Sequence, residues 1–76
     1  MKSVQVLLNS VDKVKGFVNN VSKYDNKFEL ISERYSVDAK SILGIFSLNL
    51  TNPICLNIYA EENTDQIMDM LACYIL

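Results

Sequence analysis

The chain has 76 residues, 50% of them hydrophobic, and a formal net charge of −2. This length predicts a single domain, and this apolar content suffices for a packed core and argues against disorder. The cations and carboxylates are interspersed, so no dense basic patch exists to neutralise phosphates, and direct nucleic-acid binding is not expected. The N-terminus has one lysine, Lys2, and a short apolar run, Val4 to Leu8, interrupted by Gln5. It predicts neither a signal peptide nor a membrane span, and therefore a cytoplasmic protein without membrane contact.

In chain order, Lys2 to Leu8 reads as a first strand, with Val4, Val6 and Leu8 on one face. Asn9-Ser10 supplies turn and cap chemistry, and Ser10 is the expected N-cap of a helix running to about Lys23. Val11, Val14, Val18 and Val21, with Phe17 alongside, recur at helical spacing. The valines lower helix propensity, so this helix depends on packing against a sheet. Gly16 leaves room for another element to approach. Asp25-Asn26 signals a turn. Lys27 to Ser32 alternates, with Phe28 and Leu30 on one face. Glu33-Arg34 is the expected tip of a hairpin and Tyr35 to Asp38 its returning strand.

The next segment is the densest in apolar residues. Ser41 stands where a helix N-cap would stand, and Gly44 follows one turn in, at a cost of about 1 kcal/mol relative to alanine. That cost points to a packing need or to a very short helix. Ile42, Leu43 and Phe46 are more large apolar residues than a short helix can hide beside Ile45, Leu48 and Leu50. The surplus predicts a contact patch. Thr51-Asn52-Pro53 breaks the chain, and Pro53 belongs just before the next strand or at its start.

Ile54 to Ala60 is the clearest strand. Ile54, Leu56, Ile58 and Ala60 face one way, and Cys55, Asn57 and Tyr59 the other. That alternation suits an antiparallel sheet covered on a single side. Glu61 to Gln66 opens a last helix, with Asn63 and Gln66 spaced as a capping box. Ile67, Met68, Leu71 and Ile75 are its expected inner stripe. The order β-α-β-β-α-β-α predicts a two-layer α+β domain.

Cys55 and Cys73 are expected to be free thiols in a reducing compartment, on faces that point apart. The chain contains no histidine, which removes zinc sites of the usual type and every Ser-His or Cys-His catalytic pair. Gly16 and Gly44 are the only glycines, so there is no phosphate-cradling loop. Asp38, Glu61, Glu62 and Asp65 read as solvated caps and strand ends. No enzyme, cofactor or metal site is expected.

Lys40-Ser41-Ile42-Leu43-Gly44, followed by Ser47-Leu48, resembles the regulatory-serine segment of HPr, the small phosphocarrier family of the bacterial sugar phosphotransferase system. Val21-Ser22-Lys23-Tyr24-Asp25 resembles the end of the first helix in that family, and the spacing between the two segments also fits. The likeness runs from about Val14 to the C-terminus. The first dozen residues lack the family's Gly-Leu/Ile-His-Ala-Arg-Pro-Ala. The resemblance implies a four-stranded antiparallel sheet in the order 1-4-2-3 with three helices on one face.

The family carries phosphate on a histidine, whose phosphoramidate is readily transferred. An ungapped count back from Lys23-Tyr24-Asp25 places Ser10 at the histidine position. Asp12 falls where the family has the phosphate-holding arginine, and Lys13 where it has proline. A carboxylate there repels phosphate. The site is thus a degenerate phosphocarrier site, and no phosphocarrier activity is expected. In the family the serine matching Ser41 is phosphorylated by an ATP-dependent kinase, and the product binds a transcriptional regulator of carbon catabolite repression. Some members lack the histidine and keep only this role. The resemblance therefore implies a regulatory, protein-binding module acting through Ser41, with Lys40, Ile42, Leu43 and Phe46 as partner contacts. The other reading is a diverged interaction or structural protein with a partner unrelated to sugar uptake and no phosphorylation. The short Leu8-Asn9-Ser10 link and the α-helical patch each also suggest a homodimer.

Overall fold

The computed structural model describes all of residues 1–76. Its organising strand is β4 (Ile54–Tyr59), which pairs antiparallel with β1 (Lys2–Val6) on one side and with β2 (Lys27–Ser32) on the other. β3 (Tyr35–Asp38) pairs with β2 and forms the far edge, so the sheet has the order β1-β4-β2-β3. The alternation of β4 explains its position. Ile54, Leu56 and Ile58 are all buried on one face, and their side chains stand perpendicular to the sheet toward the helices. The register continues that row across the sheet, with Leu56 opposite both Val4 and Leu30, and Ile58 opposite Phe28.

Three helices complete the order: α1 (Val11–Val21), α2 (Ile42–Phe46) and α3 (Thr64–Leu71). α1 contributes Val14, Phe17 and Val21 to the core, α2 contributes Ile45, and α3 contributes Ile67 and Leu71. These side chains form one cluster with the inner face of the sheet. Truncating a fully buried aromatic such as Phe28 or Phe17 costs about 3–5 kcal/mol. That is about half of the whole stability of a domain this size, at roughly 0.1 kcal/mol per residue.

Sequence expectation and structure agree on the order and type of every element; α1 ends at Val21 and not near Lys23, β4 stops one residue early at Tyr59, and α3 begins only at Thr64, and four further details differ. β1 ends at Val6, two residues early, although Leu8 is still fully buried beyond it. Val11 lies at the open start of α1 and is 55% exposed, so the buried stripe begins at Val14. The capping box of α3 does not form: Asn63 makes no side-chain cap bond. Its amide is used elsewhere, donating to Asn26 Oδ1 at 2.9 Å while Asn26 Nδ2 donates back at 3.3 Å. Finally, Ile75 is not helical. α3 stops at Leu71, and Ile75 forms an antiparallel bridge with Val6 on the outer edge of β1.

Both glycines are explained by close approach. A Cβ on Gly16 would lie 2.7 Å from the Tyr74 hydroxyl. The Tyr74 ring packs edge-on to Phe17, with centroids 5.6 Å apart. On Gly44, a Cβ would lie 3.2 Å from Ser41 Oγ and 3.4 Å from Val37 Cβ. The missing side chain lets α2 sit against β3 without disturbing its own cap.

The β2–β3 hairpin turns through Glu33 and Arg34 with Ser32 opposite Tyr35. Glu33 takes φ 54°, the left-handed region that costs a side-chain-bearing residue about 1–2 kcal/mol. Glu33→Gly removes that strain and gives back part of the gain through the freer unfolded chain. The expected net effect is a stabilisation of about 0.5 kcal/mol, read as a higher urea midpoint at unchanged slope. Glu33→Val should shift the midpoint the other way.

Candidate functional site

Two serines occupy equivalent local positions. Ser10 is extended, at φ −146° and ψ 156°, and its hydroxyl accepts the Lys13 N–H at 3.1 Å. Ser41 is also extended, at φ −98° and ψ 105°, and its hydroxyl accepts the Gly44 N–H at 3.2 Å. Each hydroxyl satisfies a first-turn donor that has no partner within its helix. Both serines are exposed. Asp12 is exposed in the first turn of α1. Each serine caps its own helix, and the structure makes no hydrogen bond between them.

The residues around Ser41 divide into two groups. Leu43 is 81% exposed and Phe46 43% exposed, so these two of the surplus apolar residues lie at the surface. Ile42 is half-buried and packs against the core. Lys40 does not turn toward Ser41. Its ammonium donates to the Tyr24 carbonyl, just past the end of α1, and lies 5.8 Å over the Phe28 ring. Its backbone N–H donates to Asp38 Oδ1 at 2.9 Å. The lysine thus ties the start of α2 to the end of α1.

A second polar constellation lies on the uncovered face of the sheet and was not anticipated from the sequence. Asn57, in the centre of β4, has Ser3 opposite it on β1 and Glu29 opposite it on β2. It is 8% exposed, the one polar residue in the buried set. Ser3 Oγ donates to Asn57 Oδ1 at 2.6 Å, and Asn57 Nδ2 reaches Glu29 Oε1 at 3.4 Å. Glu29 also accepts from Ser36 Oγ at 2.6 Å and from the Tyr59 hydroxyl at 3.2 Å. Lys27 lies 5.2 Å over the Tyr59 ring. The period-2 alternation of β4 put Asn57 on this face, but only the pairing register shows which side chains surround it.

These donors hold the Glu29 carboxyl below its ordinary range, the Ser36 hydroxyl most strongly and the Asn57 amide next. Partial desolvation opposes them, and Tyr59 and Lys27 add to them. The Tyr59 phenol is pushed up, by desolvation first and then by its bond to the Glu29 carboxylate.

An open depression of about 620 Å³ lies at the end of β4. Met1, Tyr59, Glu61, Glu62 and the Asn26–Asn63 amide pair line it. Neither Ser10 nor Ser41 reaches it. No three His, Cys, Asp or Glu side chains are grouped to hold a metal ion. Cys55 is half-buried on the uncovered face and Cys73 is exposed, both free. No helix is long and apolar enough to cross a membrane.

No protein-family model matches the chain, and no curated protein matches it significantly. Solved structures do. An HPr from Thermoanaerobacter tengcongensis superposes with a TM-score of 0.78 at 24% identity, over 96% of this chain and 89% of that one. The phosphocarrier protein HPr of Bacillus anthracis gives 0.71 at 24% identity, over 99% and 94%. The histidine-containing phosphocarrier protein of a mycoplasma gives 0.72 at 13% identity, over 95% and 86%. The chain therefore has the HPr fold: the same open-faced sandwich, with a sheet ordered 1-4-2-3 and its three helices.

Because the folded-state pKa of Glu29 is depressed, its contribution to stability is present above the unfolded value and is lost as pH falls through the folded one. Wild type should therefore lose stability in acid more steeply than Glu29→Gln. Urea midpoints measured from pH 7 down to pH 3 check this, and parallel curves would contradict it.

Proposed function

We propose that this chain is an HPr-like regulatory module that binds protein partners through the α2 face and does not carry phosphate on histidine. The observation that carries the reading is the pairing of a capping hydroxyl at Ser41 with the exposed Leu43 and Phe46 beside it. A phosphate on Ser41 would meet the free N–H groups of the first turn of α2 and change the charge of an otherwise apolar face. An apolar patch with a switchable anionic rim suits a regulated protein contact. In this reading the partners are a serine kinase and a transcription regulator of carbon catabolite control, both in the cytoplasm.

The lack of phosphocarrier activity rests on chemistry. The chain has no imidazole. Ser10, at the position counted as the histidine's, uses its hydroxyl as a cap, and an alcohol forms a phosphate ester, which is not readily transferred as the histidine phosphoramidate is. Asp12 places a negative charge in the same turn. Incubation with phosphoenolpyruvate, the upstream kinase and its phosphohistidine intermediate should leave the protein unlabelled. Acid-labile phosphate on it would refute this part of the reading.

The regulatory part has its own test. An HPr kinase with ATP should add one phosphate to wild type and none to Ser41→Asn, which keeps the cap while removing the hydroxyl. Intact mass and peptide mapping read the result.

One observation favours the second reading, an interaction protein that is not phosphorylated. Lys40, the cation adjoining Ser41 in sequence, is committed to the Tyr24 carbonyl and the Phe28 ring, so it is not free to steady a phosphate. An unlabelled wild type that still binds a partner, with binding lost in Leu43→Glu, would select this reading.

A further inference from the structure

The last residues of the chain do not simply follow α3. Tyr74, Ile75 and Leu76 run antiparallel along the outer edge of β1. The Leu7 N–H donates to the Tyr74 carbonyl at 3.0 Å, and the Leu76 N–H donates to the Gln5 carbonyl at 3.0 Å. Between those bonds lies the Val6–Ile75 bridge. A side-chain anchor holds the segment down: Tyr74 packs edge-on to Phe17, its hydroxyl sits over Gly16, and Asn20 Nδ2 approaches that hydroxyl at 3.4 Å. Burial pushes the phenol up.

β1 is an outer strand whose other side is fully occupied by β4. Its free edge is thus a row of backbone donors and acceptors, the type of surface that templates pairing with another chain. The segment covers the Gln5-to-Leu7 end of that edge. We propose that Tyr74-Ile75-Leu76 acts as an edge guard, and that the site it guards accepts β1 of a second copy when the guard is displaced.

The sequence of β1 favours that occupant. Antiparallel pairing of two β1 strands centred on Val4 sets Lys2 opposite Val6 of the second copy and Ser3 opposite its Gln5. The two Lys2 charges fall at opposite ends, so no like charges meet, and Val4 faces Val4 on the core side. The contact is isologous and closes as a two-fold dimer. It needs Gln5 and Val6, the two β1 residues that Leu76 and Ile75 hold, so guard and dimer exclude each other. The paired β1 strands join two four-stranded sheets into one.

Sedimentation of the full chain and of a chain lacking residues 74–76 tests this. Truncation should tighten self-association at least roughly tenfold, which is about 1.4 kcal/mol. In the dimer, the Ser3 and Gln5 amides should gain protection from hydrogen exchange. A synthetic peptide spanning residues 72–76, added in excess, should return the truncated chain to monomer. Tyr74→Ala keeps every backbone group and loosens only the anchor; it should associate more weakly than the truncated chain and more strongly than wild type. Several results overturn the proposal: a folded truncated chain that stays monomeric, or association without protection of the β1 amides. If the truncated chain does not fold and Tyr74→Ala stays monomeric, the segment is a structural strand and not a guard.

Discussion

The antiparallel pairing of β4 with two partners at once is the constraint on which the rest of this domain depends. Ile54, Leu56 and Ile58 each sit between a residue of β1 and, through Leu56 and Ile58, a residue of β2. The strand therefore fixes the register of the sheet's inner row and the surface that all three helices must cover. A one-residue slip would turn those three side chains outward and bring Cys55, Asn57 and Tyr59 beneath the helices. Such a slip would bury the amide of Asn57 without partners, a penalty of about 1–3 kcal/mol on top of the lost apolar burial.

The same strand explains why the uncovered face is ordered. Asn57 is nearly buried although no helix lies over it, because Ser3 and Glu29 flank it on neighbouring strands and bond to it. Polar atoms enclosed in this way must be satisfied among themselves, and no buried side-chain nitrogen or oxygen in the domain lacks a partner. The two faces of β4 thus do different work. One drives collapse by excluding water from large apolar groups. The other ties β1, β2 and β3 together with directional bonds that hold only in one register.

Much of this was legible in the residues. Period-2 alternation marked β2 and β4, helical spacing marked α1, and Ser10 and Ser41 were readable as caps because a hydroxyl before an apolar run has a specific backbone role. The apolar surplus in α2 led to the exposed Leu43 and Phe46, though it also counted Ile42, which is half-buried against the core. The misses share one physical cause: they depend on partners distant in sequence. Asn63 abandons its cap for Asn26, 37 residues away. Ile75 leaves the helical stripe for Val6 at the opposite end of the chain. Local pattern can propose what a side chain offers, but the fold decides which of several partners it takes.

The packing of Tyr74 has one more consequence. The chain has four tyrosines and no tryptophan, so phenol emission is not masked by energy transfer to an indole. Tyr35 and Tyr59 are exposed to solvent, whereas the Tyr74 ring is pinned against Phe17 in a fixed orientation. Its near-ultraviolet optical activity makes it a built-in gauge of whether residues 74–76 are seated, readable without any label.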